Sequence, residues 1–238
     1  GGAGVPYERG SMIVGGAVPD GASLVLDEVR ECGTKSILDR REMVVVCVEG
    51  DGSVAAGGET HDMAKGDMLY LPMGSGPVTF AKNAKFYILS APAHTAHPRR
   101  HIRIGDAATV ELGAKETSNE RVIYQFIHPD VMKSCQLVVG MTKLSSGSVW
   151  NTMPAHVHDR RSEAYLYIDL PEEARVMHFM GEPDETRHLV MKNLDGVLSP
   201  PWSLHSGAGT ASYTFIWAMA GDNVDYKDVE MVSMETLR

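Results

Sequence analysis

The chain has 238 residues, enough for one large or two small domains, and 43% of them are hydrophobic, enough for a sizeable core. A formal net charge of -9 argues against nucleic acid or an anionic membrane as partner, and no apolar run is long enough to span a bilayer. The three cysteines, Cys32, Cys47 and Cys135, are odd in number and scattered, which argues against a disulfide framework and predicts buried free thiols in a reducing cytoplasm.

The sequence opens Gly1-Gly2-Ala3-Gly4 without methionine, as a trimmed or engineered end does. It carries no basic segment followed by an apolar one, so no signal peptide is legible, although a removed one stays open. The first strand signal is the β-branched run Met43–Cys47, which stops at the turn Gly50-Asp51-Gly52. Similar short runs follow at Asp67–Leu71 and Lys85–Leu89. The polar, proline-containing stretch from Ala91 to Pro98, with Gly105 to Glu120 behind it, reads as a boundary. It holds His94, His97 and His101, whose spacing suits a metal only on a helix, and the nearby prolines oppose a helix. His61 and His128 are isolated and read as structural or surface residues.

Beyond the boundary, strand signals return at Ala164–Ile168, Arg187–Met191 and Ser212–Trp217. Many short strands and few helical periods predict an all-β sandwich or barrel. Most of the fourteen methionines fall in apolar alternating runs and read as core. The chemistry concentrates in His156-Val157-His158-Asp159-Arg160-Arg161-Ser162-Glu163, joined by Pro200 and His205. Histidines at i and i+2 share one face of a strand. Three imidazoles and a carboxylate form a ligand set for one divalent ion: zinc, iron, nickel or copper.

The halves read as a duplication: Leu38-Asp39-Arg40-Arg41-Glu42 echoes His158-Asp159-Arg160-Arg161-Ser162-Glu163, and Gly66…Pro72 echoes Gly196…Pro200. Where the second half has His156, His158 and His205, the first has Ser36, Leu38 and Pro77. The expectation is a degenerate barrel over residues 1–100 and a metal-bearing barrel over 101–238, with one metal per chain.

His-x-His-x4-Glu and Pro-x-x-x-x-His resemble the two motifs of the cupin superfamily, although Trp202 and its neighbours stand where the second motif has glycine. The stretch Asn151–Glu163, with Gly181–His188, Pro201–Gly207 and Tyr213–Trp217, closely resembles the 5-keto-4-deoxyuronate isomerase family, also called 4-deoxy-L-threo-5-hexosulose-uronate ketol-isomerases. So do Asp39–Glu42, Lys85–Tyr87, Ser90–Thr95 and Cys135–Leu137, so the likeness covers nearly the whole chain. It implies a bicupin of two tandem double-stranded β-helix (jelly-roll) barrels. It implies one zinc ion on His156, His158, Glu163 and His205, a homohexamer, and a cytoplasmic role in pectin and uronate breakdown. The family carries a further N-terminal segment, so this sequence is expected to be trimmed there.

The implied reaction moves a carbonyl from C1 to C2 of a sugar acid, converting 5-dehydro-4-deoxy-D-glucuronate to 3-deoxy-D-glycero-2,5-hexodiulosonate. That calls for a proton carrier. His178 and His188 flank the turn Gly181 to Glu185, so a hairpin would bring them together as acid and base. Tyr165 and Tyr167 share the face of Glu163 and point inward as hydrogen-bonding phenols. The substrate carboxylate calls for a bidentate arginine. Arg160, Arg161 and Arg187 are nearest the motifs, and at most one of the first two faces a pocket. From spacing alone, a metal-dependent dioxygenase or a non-catalytic sugar-acid-binding cupin remain alternatives.

Overall fold

The computed structural model describes residues 12–238; the Gly1–Gly4 opening and its expected trimming lie outside the described residues. Among these residues there is no α-helix, only strands and three single-turn 3-10 segments. The chain divides into two compact units. The described part of the first runs to Ala107 and includes Asp130–Leu137, and the second comprises Ala108–Pro129 with Val138–Arg238.

In the first unit the strands are β1 (Ile13–Ala17), β2 (Leu24–Leu26), β3 (Arg41–Glu49), β4 (Gly52–Ala56), β5 (Glu59–Met63), β6 (Met68–Leu71), β7 (Val78–Ala81), β8 (Lys85–Pro92) and β9 (Arg100–Ile102). They form two antiparallel sheets, ordered β1-β8-β3-β6-β9 and β2-β7-β4-β5. Met43, Val45 and Cys47 alternate onto one face of β3 and pack with Val54, Phe80 and Leu38 from outside that sheet. Val44 and Val46 are buried too, so β3 reads as a continuous apolar run because both its faces are covered.

The segment Asp130–Leu137 is held to this unit by one buried carboxylate. Glu42 accepts backbone N–H bonds from Cys135, Gln136 and Leu137 at 2.7, 2.7 and 2.8 Å, and the Tyr70 hydroxyl at 2.7 Å. A buried charge is tolerable only with such donors. The guanidinium of Arg100 adds a bond to the Val131 carbonyl at 2.7 Å.

The second unit contains β10 (Ala108–Leu112), β11 (Arg121–Ile127), β12 (Val138–Leu144), β13 (Trp150–Asn151), β14 (His156–Val157), β15 (Arg161–Ile168), β16 (Val176–Glu182), β17 (Glu185–Met191), β18 (Gly196–Ser199), β19 (Leu204–Gly209), β20 (Thr214–Gly221) and β21 (Glu230–Met231). The sheet β10-β11-β12-β20-β15-β18 faces the sheet β13-β19-β16-β17 across a core, and β14 pairs with β21. The polar stretch from Gly105 to Glu120 thus contains a strand, β10, fully exposed along its length and lying at the sheet edge. Tyr167, Val176, Met191 and Tyr213 fill the core. Glu163 lies opposite Met219, Tyr165 opposite Trp217, and Thr142 opposite Phe215 and Ile123, so these side chains share the inner face.

Candidate metal centre

Four side chains converge on one point of the second unit. The strand expected under the histidine pair is only two residues long: β14 carries His156 against Met231 of β21, and His158 follows it. The His158 amide donates to the Pro201 carbonyl at 3.2 Å, which fixes where the chain turns into β15 and Glu163. His205 stands on β19 opposite Met180. One ligand atom from each of His156, His158, Glu163 and His205 lies within 4.8 Å of every other, the one such group of three or more among the described residues.

The outer contacts fix which nitrogen is free. His158 Nδ1 donates to the Asp228 carbonyl at 3.0 Å, and His205 Nδ1 donates to the Ser203 carbonyl at 3.2 Å. Both Nε2 atoms are thereby left as lone-pair donors, the arrangement in which a backbone carbonyl orients a ligating imidazole. Glu163 Oε2 lies 2.9 Å from His158 Nε2 and 2.8 Å from His205 Nε2, and the latter is 3.1 Å from His156 Nε2. Donor atoms converging at this range could hold one cation among them. Three imidazole nitrogens and a carboxylate oxygen form a donor set suited to a divalent ion, so the residues fit the expected metal.

Burial acts on Glu163, His156 and His205. Burial alone would raise Glu163, but the neighbouring His205 and His158 imidazoles hold its carboxyl below the usual range. Burial, helped by His205, lowers His156 to about 3, which leaves it neutral and able to ligate. Burial pushes His205 down, and Glu163 more than offsets this, so its net shift is upward.

A cavity of about 390 Å³ opens beside the cluster, lined by His156, His158, Glu163 and Tyr165 with an apolar wall that includes Trp217 and Met219. Trp217 lies against Gly140, where an added Cβ would come within 2.2 Å of its ring. Its indole N–H donates to Thr142 Oγ1 at 3.1 Å. The Tyr165 hydroxyl shares a hydrogen bond with Thr152 Oγ1 at 2.9 Å. Burial, with Glu163 nearby, drives the Tyr165 phenol well above its ordinary range, so it stays protonated.

The other expected site residues are placed differently. Tyr167 does point inward, but into the core, where its hydroxyl meets His178 Nδ1 at 2.7 Å. His178 is fully buried beside Tyr165, ring centroids 5.4 Å apart, and burial lowers it to about 3. The hairpin forms as expected, yet it separates the two histidines. His178 pairs with Leu189 while His188 pairs with Phe179, one residue out of phase, so His188 projects from the opposite face and is exposed.

None of the three arginines lines the cavity. Arg187 is exposed and pairs with Glu185 at 2.8 Å, and Arg160 pairs with Asp228. Arg161 is wholly buried and donates to the Asp228 carbonyl at 2.7 Å, the same oxygen that accepts from His158, so it steadies that imidazole. Proximity in sequence misled because this stretch wraps behind the ligands, against the C-terminal segment. The residues missed from sequence are Arg121, Thr152, Trp217, Tyr226 and Lys227, all on the cavity wall. Inward alternation of Arg121 and Ile123 on β11 was the one available signal. His94 and His97 sit in the loop between β8 and β9, His101 binds Asp67 at 3.3 Å from β9, and His128 packs on Tyr226.

The family model for KduI/IolB matches residues 15–234. The chain is 71% identical to a 4-deoxy-L-threo-5-hexosulose-uronate ketol-isomerase of Cereibacter sphaeroides, over 98% of this chain and 84% of that one. It is 61% identical to one of Rhizobium meliloti, over 98% and 83%. Among solved structures it resembles an IolB-like protein from Salmonella typhimurium, with TM-score 0.79 and 18% identity over 93% of this chain and 88% of that one. It also resembles the oxalate decarboxylase of Lactobacillus farciminis, with TM-score 0.65 and 9% identity over 98% and 86%. These likenesses show the fold, an all-β bicupin. With a family match across nearly its whole length and relatives this similar, the chain belongs to the KduI/IolB family and is a ketol-isomerase of it.

Proposed function

We propose that the protein converts 4-deoxy-L-threo-5-hexosulose uronate to its 2-ketose isomer, 3-deoxy-D-glycero-2,5-hexodiulosonate, with one zinc ion in the second unit. The observation that carries this is the convergence of three imidazoles and one carboxylate on the wall of a cavity, in a chain this similar to named isomerases. Zinc held by His156, His158, Glu163 and His205 would supply Lewis-acid polarisation of the substrate carbonyl. The isomerisation is redox-neutral: the C2 proton goes to C1 and the O2 proton to O1. Tyr165, held protonated by burial, donates a hydrogen bond to a substrate oxygen, and Thr152 fixes its direction. The apolar wall keeps bulk water from the reacting carbons. Of the two histidines expected to move protons, this reading keeps His178. Burial holds it neutral, and it packs against Tyr165 just behind the cavity wall. Tyr167 positions His178 through their shared hydrogen bond.

The barrel of the first unit carries no metal in this reading, since Ser36, Leu38 and Pro77 stand at the ligand positions. Family membership supports a homohexamer acting in uronate and pectin breakdown, and three free cysteines support a reducing, cytoplasmic setting. The test is turnover of the uronate by purified protein, before and after chelation and after zinc is returned, with metal content measured alongside. Loss on chelation and recovery with zinc is expected; undiminished turnover by metal-free protein sinks the proposal. In D₂O, deuterium at the new methylene is the expected mark of proton transfer through solvent-exchanging groups.

A further inference from the structure

We propose that Arg121 is the group that binds the substrate carboxylate. This rests on the reading that a uronate is the substrate. Arg121 opens β11 on the inner face of the six-stranded sheet, in the same file as Ile123, and both line the cavity beside His156, His158 and Glu163. Its guanidinium is half-buried, and its Nη1 donates to the Asn119 carbonyl at 2.8 Å. No carboxylate among the described residues forms an ion pair with it. Burial accordingly pushes it below its ordinary value, with only Tyr226 acting the other way. A cation drawn into an apolar wall without a counter-ion is costly unless an anion joins it.

The remaining guanidinium N–H groups form a planar fork suited to two carboxylate oxygens. Arg160, Arg161 and Arg187 are already engaged outside the cavity. The other cation on the wall, Lys227, is exposed on the C-terminal segment and offers a mobile point charge instead of a fork. The cavity therefore has two ends of different chemistry: an imidazole-carboxylate cluster suited to the carbonyl end of a sugar acid, and a guanidinium suited to its acid end. An aldose without a carboxylate would leave Arg121 unpaired, so the same residue sets selectivity for uronates over neutral sugars.

The experiment compares wild type, Arg121→Gln, Arg121→Lys and Lys227→Gln by steady-state kinetics on the uronate. Metal content and thermal midpoint are recorded for each. Arg121→Gln is expected to raise KM roughly 10- to 100-fold with kcat little changed and zinc retained. Arg121→Lys should recover part of the loss, and Lys227→Gln should shift KM less than threefold. A normal KM in Arg121→Gln, or a larger effect at Lys227, overturns the assignment. Calorimetric titration with D-glucuronate separates the two levels of the proposal. If wild type fails to turn over the uronate yet binds D-glucuronate, and Arg121→Gln does not, the substrate reading fails while the acid site stands. If wild type neither turns over the uronate nor binds D-glucuronate, the acid site falls as well.

Discussion

The two units use the same strand plan with opposite interiors. In the first, β3 opens at Arg41, just after Asp39-Arg40, and sends Met43 inward, paired across to Leu71 of β6. In the second, β15 opens at Arg161, just after Asp159-Arg160, and sends Glu163 inward, paired across to Ser199 of β18. Glu42 is thus no counterpart of Glu163. It points from the opposite face and secures Cys135–Leu137. Ser36, Leu38 and Met43 make the first interior close-packed, and all are buried. The second interior instead holds His158, Glu163, His178 and His205 at almost complete burial. One architecture therefore serves as packing in one half and as chemistry in the other. The difference lies in a few side chains, with the backbone pairing preserved.

The largest effect is expected from breaking the polar interior at its metal ligands. His205→Ala removes one of four donors and leaves Glu163 short of a partner. Bound metal should fall well below one equivalent per chain, with turnover down on the order of 1,000-fold. Full metal retention, or two equivalents in the wild type, would undo the contrast between the units. The first unit can be broken separately. Glu42→Ala strands three backbone N–H groups and the Tyr70 hydroxyl, which should cost about 3 kcal/mol in denaturant unfolding. Metal content of the folded fraction should stay unchanged.

A subtler difference is acid sensitivity. His178 titrates near 3 in the folded chain because burial disfavours its charged form, against about 6.5 when unfolded. Between these values the unfolded state binds more protons, so stability rises with pH and is lost as pH falls below about 6.5. By pH 5 this single group should account for about 2 kcal/mol of lost stability relative to pH 8. His178→Phe should flatten that part of the profile. An identical pH slope in the variant would show that the imidazole is not buried as described.

Much of this was legible from sequence, for stated physical reasons. Short apolar runs made β3, β6, β8, β15 and β20 legible, because strands buried on one or both faces must be apolar on a period of one or two. The convergence of His156, His158, Glu163 and His205 was legible because metal chemistry restricts residue type and spacing so tightly. The cavity wall was not legible. Arg121, Thr152 and Trp217 come from β11, the loop after β13, and β20, and are brought together only by sheet order. The arginines beside the motif looked suitable because sequence reports proximity along the chain, whereas Arg161 turns away to hold the Asp228 carbonyl. The histidine hairpin was located correctly in the chain, and a single-residue offset in register decided which ring faces the interior.

The smallest expected effect tests that offset. His188 stands on β17 opposite Phe179 and is exposed, while His178 on the neighbouring strand is buried beside Tyr165. Because strand side chains alternate, both rings cannot serve the same cavity without a slip of one residue in the β16–β17 pairing. Because β16 is also paired with β19, such a slip would turn the buried Met191 of β17 outward, so the sheet's own packing opposes it. His188→Gln should therefore leave kcat and KM within about twofold of wild type and stability within about 0.5 kcal/mol, as for other exposed positions. His178→Gln, on the inner face, should lower turnover with zinc retained. If the two variants lost activity equally, the register would be wrong or His188 would act at a site formed by another copy of the chain. Crossing each variant with Arg121→Gln separates these outcomes. His178, packed against the cavity residue Tyr165, should couple to Arg121, whereas His188 should combine with it additively.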